Sequence, residues 1–256
     1  MRAQRRPWLL TATLMLASAA AAAWSTYLHW LPCQGRMLRG TIIQPYADGP
    51  SYEDFAKLDP ADKARMFSCE ARMAGDQGPW ESELDVVAMV LAGVAWITLV
   101  LGLRWQLRTK RVAALPGLAT LALAGAMAIG DAVFGRDGGI LMILLVGIDL
   151  SAVIALIAIL AWLVREPDVR IRSFLHLVVV LWGTTAFGAS HVMAEYAIMI
   201  RFSEANWDSP PGTGYLTVAV ITISAVLTAI MALRTPQRGV DDEPHQDHQS
   251  GSLTLA

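Results

Sequence analysis

Six long apolar runs dominate this chain, and runs of that length admit few folds. They cover residues 8–27, 86–103, 112–134, 140–164, 174–200 and 215–233 of 256. A helix rises about 1.5 Å per residue, so about 20 residues cross the roughly 30 Å of bilayer hydrocarbon. In lipid every backbone amide and carbonyl needs an internal partner, and a helix supplies them within one segment. The expected fold is therefore all-α: a polytopic membrane helix bundle of six transmembrane helices. Composition agrees, with 55% hydrophobic and only 16% charged residues, where a soluble domain carries about 25% charged. An ordinary soluble enzyme, a disordered chain and a nucleic-acid binder working through a basic surface are all excluded. The lipid bilayer is the one partner the composition demands.

Basic residues orient the spans. Arg2, Arg5 and Arg6 precede the first; Arg104, Arg108, Lys110 and Arg111 separate the second and third. Arg165, Arg170 and Arg172 lie between the fourth and fifth, and Arg234 and Arg238 follow the sixth. The short loops on the other side hold only Arg136 and Arg201. The long first loop holds Arg36, Arg39, Lys57, Lys63, Arg65 and Arg72, offset by many acids; long loops count for little in topology, so both termini are expected in the cytoplasm. Trp105 and Trp162 would mark the inner interface, and Trp30, Trp80, Tyr196, Trp207 and Tyr215 the outer one.

The first run is ambiguous. Its Arg-rich start, followed by LLTATLMLASAAAAAW with small residues at Ala17 and Ala19, has the composition of a secretory signal, which would leave five spans. Apolar character continues to Leu31, which favours an uncleaved anchor. Arginine far outnumbers lysine and alanine is abundant, a bias that points to a bacterial protein of the cell membrane. Residues 1–233 form the expected transmembrane domain, including an extracytoplasmic loop at 31–85. Residues 234–256 are polar and rich in Pro, Gln and acids, the composition of a disordered cytoplasmic tail.

Cys33 and Cys69 are the only cysteines, and both fall in the first loop. On an oxidising side they are expected to form one structural disulfide tying a small cap. A redox pair is disfavoured, because the Cys-x-x-Cys spacing is missing. Ser51 with Asp54 has capping-box spacing. Asp59, Pro60 and Asp62 form a good helix start, with Gly75 as a stop. Met66, Phe67 and Met73 are expected to face the membrane domain, and Lys63, Arg65, Glu70 and Arg72 to face water.

Ionisable residues inside the spans are the candidate site. A charge at the bilayer centre costs at least about 2.5–3.5 kcal/mol, so such residues face protein or water. Asp149 lies about 5 Å from the midpoint of the fourth span, counted at the helical rise. Asp131 is in the outer third of the third span. His191 and Glu195 are four residues apart in the outer half of the fifth, hence on one helix face. Their shared depth would permit one cluster beneath the cap. It could carry protons, or hold a metal weakly through His191 and Glu195. It could instead be structural, with Asp149 hydrogen-bonded across helices near Ser151 or Thr184. No metal site is expected, since no HExxH pattern occurs. No cofactor is expected either: haem would need a second histidine opposite His176.

Small residues recur every four positions in the third span (Ala122, Ala126, Gly130; Ala124, Ala128, Ala132) and in the fifth (Ala186, Ser190, Ala194). Such faces permit close helix approach, so these spans are expected at the middle of the bundle, with homo-oligomerisation a sharper alternative. Nucleotide-binding, serine-hydrolase and metalloprotease motifs are absent. The leading functional expectation is a non-enzymatic accessory or interaction component with a membrane-protein partner. A small transporter or channel for protons or a cation comes second, and a membrane-embedded metal-dependent enzyme third.

Overall fold

The computed structural model describes residues 5–33, 59–73, 81–103, 107–133, 138–165, 171–202 and 212–234. Among them the ordered elements are helical, and no strand occurs. Helix α1 (Arg5–Trp30) runs into a 3-10 turn (Leu31–Cys33). An extramembrane helix α2 (Pro60–Met73) follows, then α3 (Glu81–Gly102), a short α4 (Leu107–Ala113) and α5 (Leu115–Val133). The chain continues through α6 (Gly138–Arg165), α7 (Ile171–Thr184), α8 (Ala189–Phe202) and α9 (Tyr215–Arg234).

Five of the expected spans are long, apolar helices. The sixth, residues 174–200 of the sequence reading, is not one continuous helix: α7 and α8 meet at a 74° bend. The chain is thus a multi-pass helical membrane protein with five long apolar spans and one broken pair.

The middle of the bundle is α1, which lies between α3 and α9. Its buried positions, including Thr11, Met15, Ser18, Ala22 and Thr26, repeat at three- and four-residue steps and form one face. Two hydroxyls on that face bond directly to α3: Ser18 Oγ donates to the Ala88 carbonyl at 2.7 Å and Thr11 Oγ1 to the Ala95 carbonyl at 3.3 Å. Lipid offers helices no hydrophobic reason to associate, so close packing and such hydrogen bonds carry the assembly. A span with signal-like composition thus contributes specific contacts to the core.

The expectation that the third span occupies the middle through its small residues needs correction, whereas the fifth does bury residues 183–188 in the core. On α5 only Thr120, Leu123 and Ala124 of its central turns are buried, while Ala122 and Ala128 are exposed. A four-residue repeat drifts round a helix of 3.6 residues per turn, so the small stripe leaves the interface within two turns. Close approach occurs instead between Gly93 of α3 and Gly117 of α5. A Cβ on either glycine would come within 2.9 Å of the other's carbonyl oxygen. Gly183 of α7 lies against α9, where an added Cβ would meet Ser224 Cβ at 2.5 Å. Ser224 Oγ fastens that contact by donating to the Val179 carbonyl at 2.9 Å.

Towards the arginine-rich end, a second cluster gathers Trp8, Trp96, Leu99, Ile159, Leu177 and Val180. Trp96 Nε1 donates to the Ala113 carbonyl at 2.6 Å, satisfying the last turn of α4. Of the aromatic markers, Trp30 and Trp162 are buried among helices rather than set in lipid, whereas Tyr215 is largely exposed. Trp80, Trp105 and Trp207 lie outside the described residues.

The Cys33–Cys69 disulfide is formed, with Cα atoms 4.9 Å apart, and fixes α2 to the end of α1. Asp59 caps α2 as its spacing predicts: its Oδ1 accepts the Asp62 amide at 2.8 Å. Met66 and Cys69 turn inward, but Phe67 is 56% exposed, contrary to expectation. Residues 66 and 69 share a face at helical spacing, and residue 67 is rotated about 100° from 66. The side chains of Glu70 and Met73, and residues Ser51, Asp54 and Gly75, lie outside the described residues, as does the tail.

Candidate functional site

The candidate site is built where α7 gives way to α8. Threonines begin the break: Thr184 Oγ1 and Thr185 Oγ1 donate back to the carbonyls of Val180 and Leu181 at 2.9 and 3.0 Å. Hydroxyls bonded to their own helix in this way weaken or bend it. The Gly188 amide then closes a tight turn on the Thr185 carbonyl at 2.9 Å, and α8 starts afresh at Ala189. A fresh helix start exposes unpaired amides, and in hydrocarbon these must find acceptors.

Asp149, on α6, is that acceptor. Its Oδ2 takes the Ser190 amide at 2.7 Å and its Oδ1 takes the Ser190 hydroxyl at 2.9 Å. The carboxylate enters through a gap left by Gly188, where a Cβ would collide with Oδ1. A negative charge at a helix N-terminus is also favoured by the helix dipole. Thr120 Oγ1 braces the break from α5 by donating to the Thr184 carbonyl at 3.3 Å.

Glu195 does the same for α9. It is 2% exposed. Its Oε1 accepts the amides of Gly214 and Leu216 at 2.7 and 2.8 Å, and its Oε2 accepts Thr217 Oγ1 at 2.8 Å. The turn that presents those amides uses φ of +92° at Gly212 and +103° at Gly214, conformations that glycine tolerates. Gly214 also lies under Thr26 of α1, whose Oγ1 would stand 2.7 Å from an added Cβ. Trp30 Nε1 completes the clamp, donating to the Thr213 carbonyl at 2.8 Å.

His191 stands one turn before Glu195 on α8, half-buried, within electrostatic reach of both Glu195 and Asp149. Its Nε2 is sealed from solvent and has no hydrogen-bond partner among the described residues. Asp131 occupies the last turn of α5, but its side chain lies outside the described residues. Of the four sequence candidates, three therefore converge: Asp149, His191 and Glu195. Two of them are acceptors for helix N-termini. Among the described residues no group of three or more His, Cys, Asp or Glu side chains is arranged to hold a metal ion.

Sequence reasoning missed the recipients of these bonds. Gly188 before Ser190 inside an apolar run is the turn signal for the first break, and Pro211, Gly212 and Gly214 are the signal for the second. Asp149 is hydrogen-bonded across helices, but to Ser190 and not to Ser151, which donates to the carbonyl of Ile148 on its own helix.

The arrangement defines a class, a helical multi-pass membrane protein with a half-buried and a buried acid at two helix starts. In comparison with known proteins, no family model matches the chain, and no curated protein or solved structure matches it either.

Proposed function

We propose that this protein is a non-enzymatic accessory or interaction component of a bacterial cell membrane, with both termini in the cytoplasm and α2 outside. The observation that carries this reading is the use of the intramembrane acids. Asp149 and Glu195 direct their oxygens to backbone amides and hydroxyls of the next helices. That is scaffold chemistry, and it leaves function to surfaces. The surface best suited to a partner is α2, held over the bundle by a disulfide with Phe67 outward. Site-specific photo-crosslinking from position 67 in native membranes tests this. A discrete protein adduct that disappears in C33S/C69S supports it; crosslinks to lipid alone, or none, refute it.

A second reading, a small transporter or channel for protons or a cation, is favoured by the broken pair itself. Transporter sites commonly form where discontinuous helices meet near the midplane. His191, with its unpartnered Nε2 and two carboxylates within electrostatic reach, would be the titrating group. Proton flux into proteoliposomes that is lost in H191Q while the fold survives would establish it. Equal flux in wild type, H191Q and empty liposomes would remove it. The metal-enzyme reading fares worst, since Glu195 already accepts three hydrogen bonds.

A further inference from the structure

At the arginine-rich end, a cleft of about 220 Å³ opens between α4 and the last turns of α6. Arg108 and Thr109 enter it from α4, Trp162 and Arg165 from α6, and its apolar part is formed by Val112, Ala158 and Ala161. The cleft is held in shape from outside. Trp96 fixes the Ala113 carbonyl, and Lys110 Nζ reaches the Leu101 carbonyl at 2.9 Å, so α4 is fastened to α3 at its middle and its end. Arg108 and Arg165 are both exposed, and neither is in an ion pair among the described residues. Two guanidinium groups opening on one concave space repel each other, and an anion between them converts that repulsion to attraction. Guanidinium geometry suits phosphate oxygens, and the Thr109 hydroxyl adds a neutral donor.

The apolar part decides which phosphate. A free phosphate ion would use the charged rim and leave the alanines and Val112 idle. A phospholipid would use both, placing its headgroup at the arginines and the start of an acyl chain along Ala158 and Ala161. The position, one turn inward from the end of a membrane-spanning helix, is the depth of a headgroup. We propose that the cleft formed by Arg108, Thr109, Trp162 and Arg165 binds an anionic phospholipid of the leaflet on the arginine-rich face. Basic pockets between spans are suited to such headgroups.

The test is native mass spectrometry of the full detergent-solubilised chain titrated with phosphatidylglycerol, phosphatidylcholine of matched chains, or inorganic phosphate. Phosphatidylglycerol adducts should persist where phosphatidylcholine adducts do not. R108Q/R165Q should weaken them about 10–30-fold, two contacts' worth of headgroup attraction. R108K/R165K, which keeps the charge but not the guanidinium fork, should bind between wild type and R108Q/R165Q. Arg234, on the same face but outside the cleft, provides the control, and R234Q should bind like wild type. Equal retention of both lipids, loss in R234Q as large as in the double variant, or displacement of the lipid by millimolar phosphate would each overturn the assignment. Melting curves of the variants distinguish lost binding from lost fold.

Discussion

Removing the carboxylate of Glu195 is the sharpest perturbation the structure offers. The group is almost wholly buried and accepts three hydrogen bonds of 2.7–2.8 Å, two of them from the first amides of α9. Hydrogen bonds to charged groups contribute about 1.5–3 kcal/mol each, and a buried donor left without an acceptor costs about 1–3 kcal/mol. The three bonds share one acceptor group, so their losses do not add fully. Breaking a buried charged contact from one side typically costs about 3–5 kcal/mol, and E195A is expected in that range. E195Q should cost less, about 1–2 kcal/mol. Glutamine keeps a carbonyl oxygen for the two amides and loses the charge that favours a helix start. Equilibrium unfolding in mixed micelles reads the global loss. Amide exchange over residues 212–218 reads it locally, with E195A speeding exchange about 100-fold or more, since each 1.4 kcal/mol is tenfold. An E195A protein within about 1 kcal/mol of wild type, with unchanged exchange at Gly214 and Leu216, would refute the capping role.

The remaining predictions use the same measurements. D149A should destabilise by about 1–2 kcal/mol and D149N by less, because Asn also accepts at a helix start; faster exchange at Ser190 would localise the effect to α8. G183A should cost about 1–3 kcal/mol through overpacking against Ser224, where G125A, with open space around it, should be nearly neutral; equal melting points for the two would contradict the packing described. G214A combines a positive φ with a clash at Thr26 and should lower stability by at least about 1 kcal/mol. C33S/C69S releases a loop closed over 36 residues, worth about 3–4 kcal/mol to the cap in the chain-entropy view. Limited proteolysis should then cut near α2 while leaving the spans intact, and an unchanged digestion pattern would count against the tether.

The membrane fold was legible because apolar length is a one-dimensional property, and the arginines and cysteines punctuate it. The disulfide followed from counting, since two cysteines in one loop leave one pairing. The break at Gly188 was harder to see. Residues 174–200 are apolar enough on average to read as one span, and a threonine pair ahead of a glycine is ordinary in a continuous membrane helix. What makes the break tolerable in lipid is Asp149, 41 positions before Ser190, whose amide and hydroxyl it accepts. Glu195 and His191 were found as a pair on one face, but pairing in sequence gives no hint that Glu195 accepts its hydrogen bonds from residues 214–217. The centrality of α1 was also hidden. Its composition leaves leader and anchor both open, and only small polar residues in a greasy run, Thr11, Ser18, Ser25 and Thr26, point to neighbours in the core.

The two acids share one direction in time. Asp149 serves Ser190, and Glu195 serves Gly214 and Leu216, so each acceptor leaves the ribosome before the donors it satisfies. A nascent α8 or α9 entering the lipid with bare amides at its start therefore meets a waiting partner on a segment made earlier. Assembly can proceed from the N-terminal side without stranding polar backbone. A circular permutation that placed α9 ahead of α6 would reverse that order while keeping every final contact.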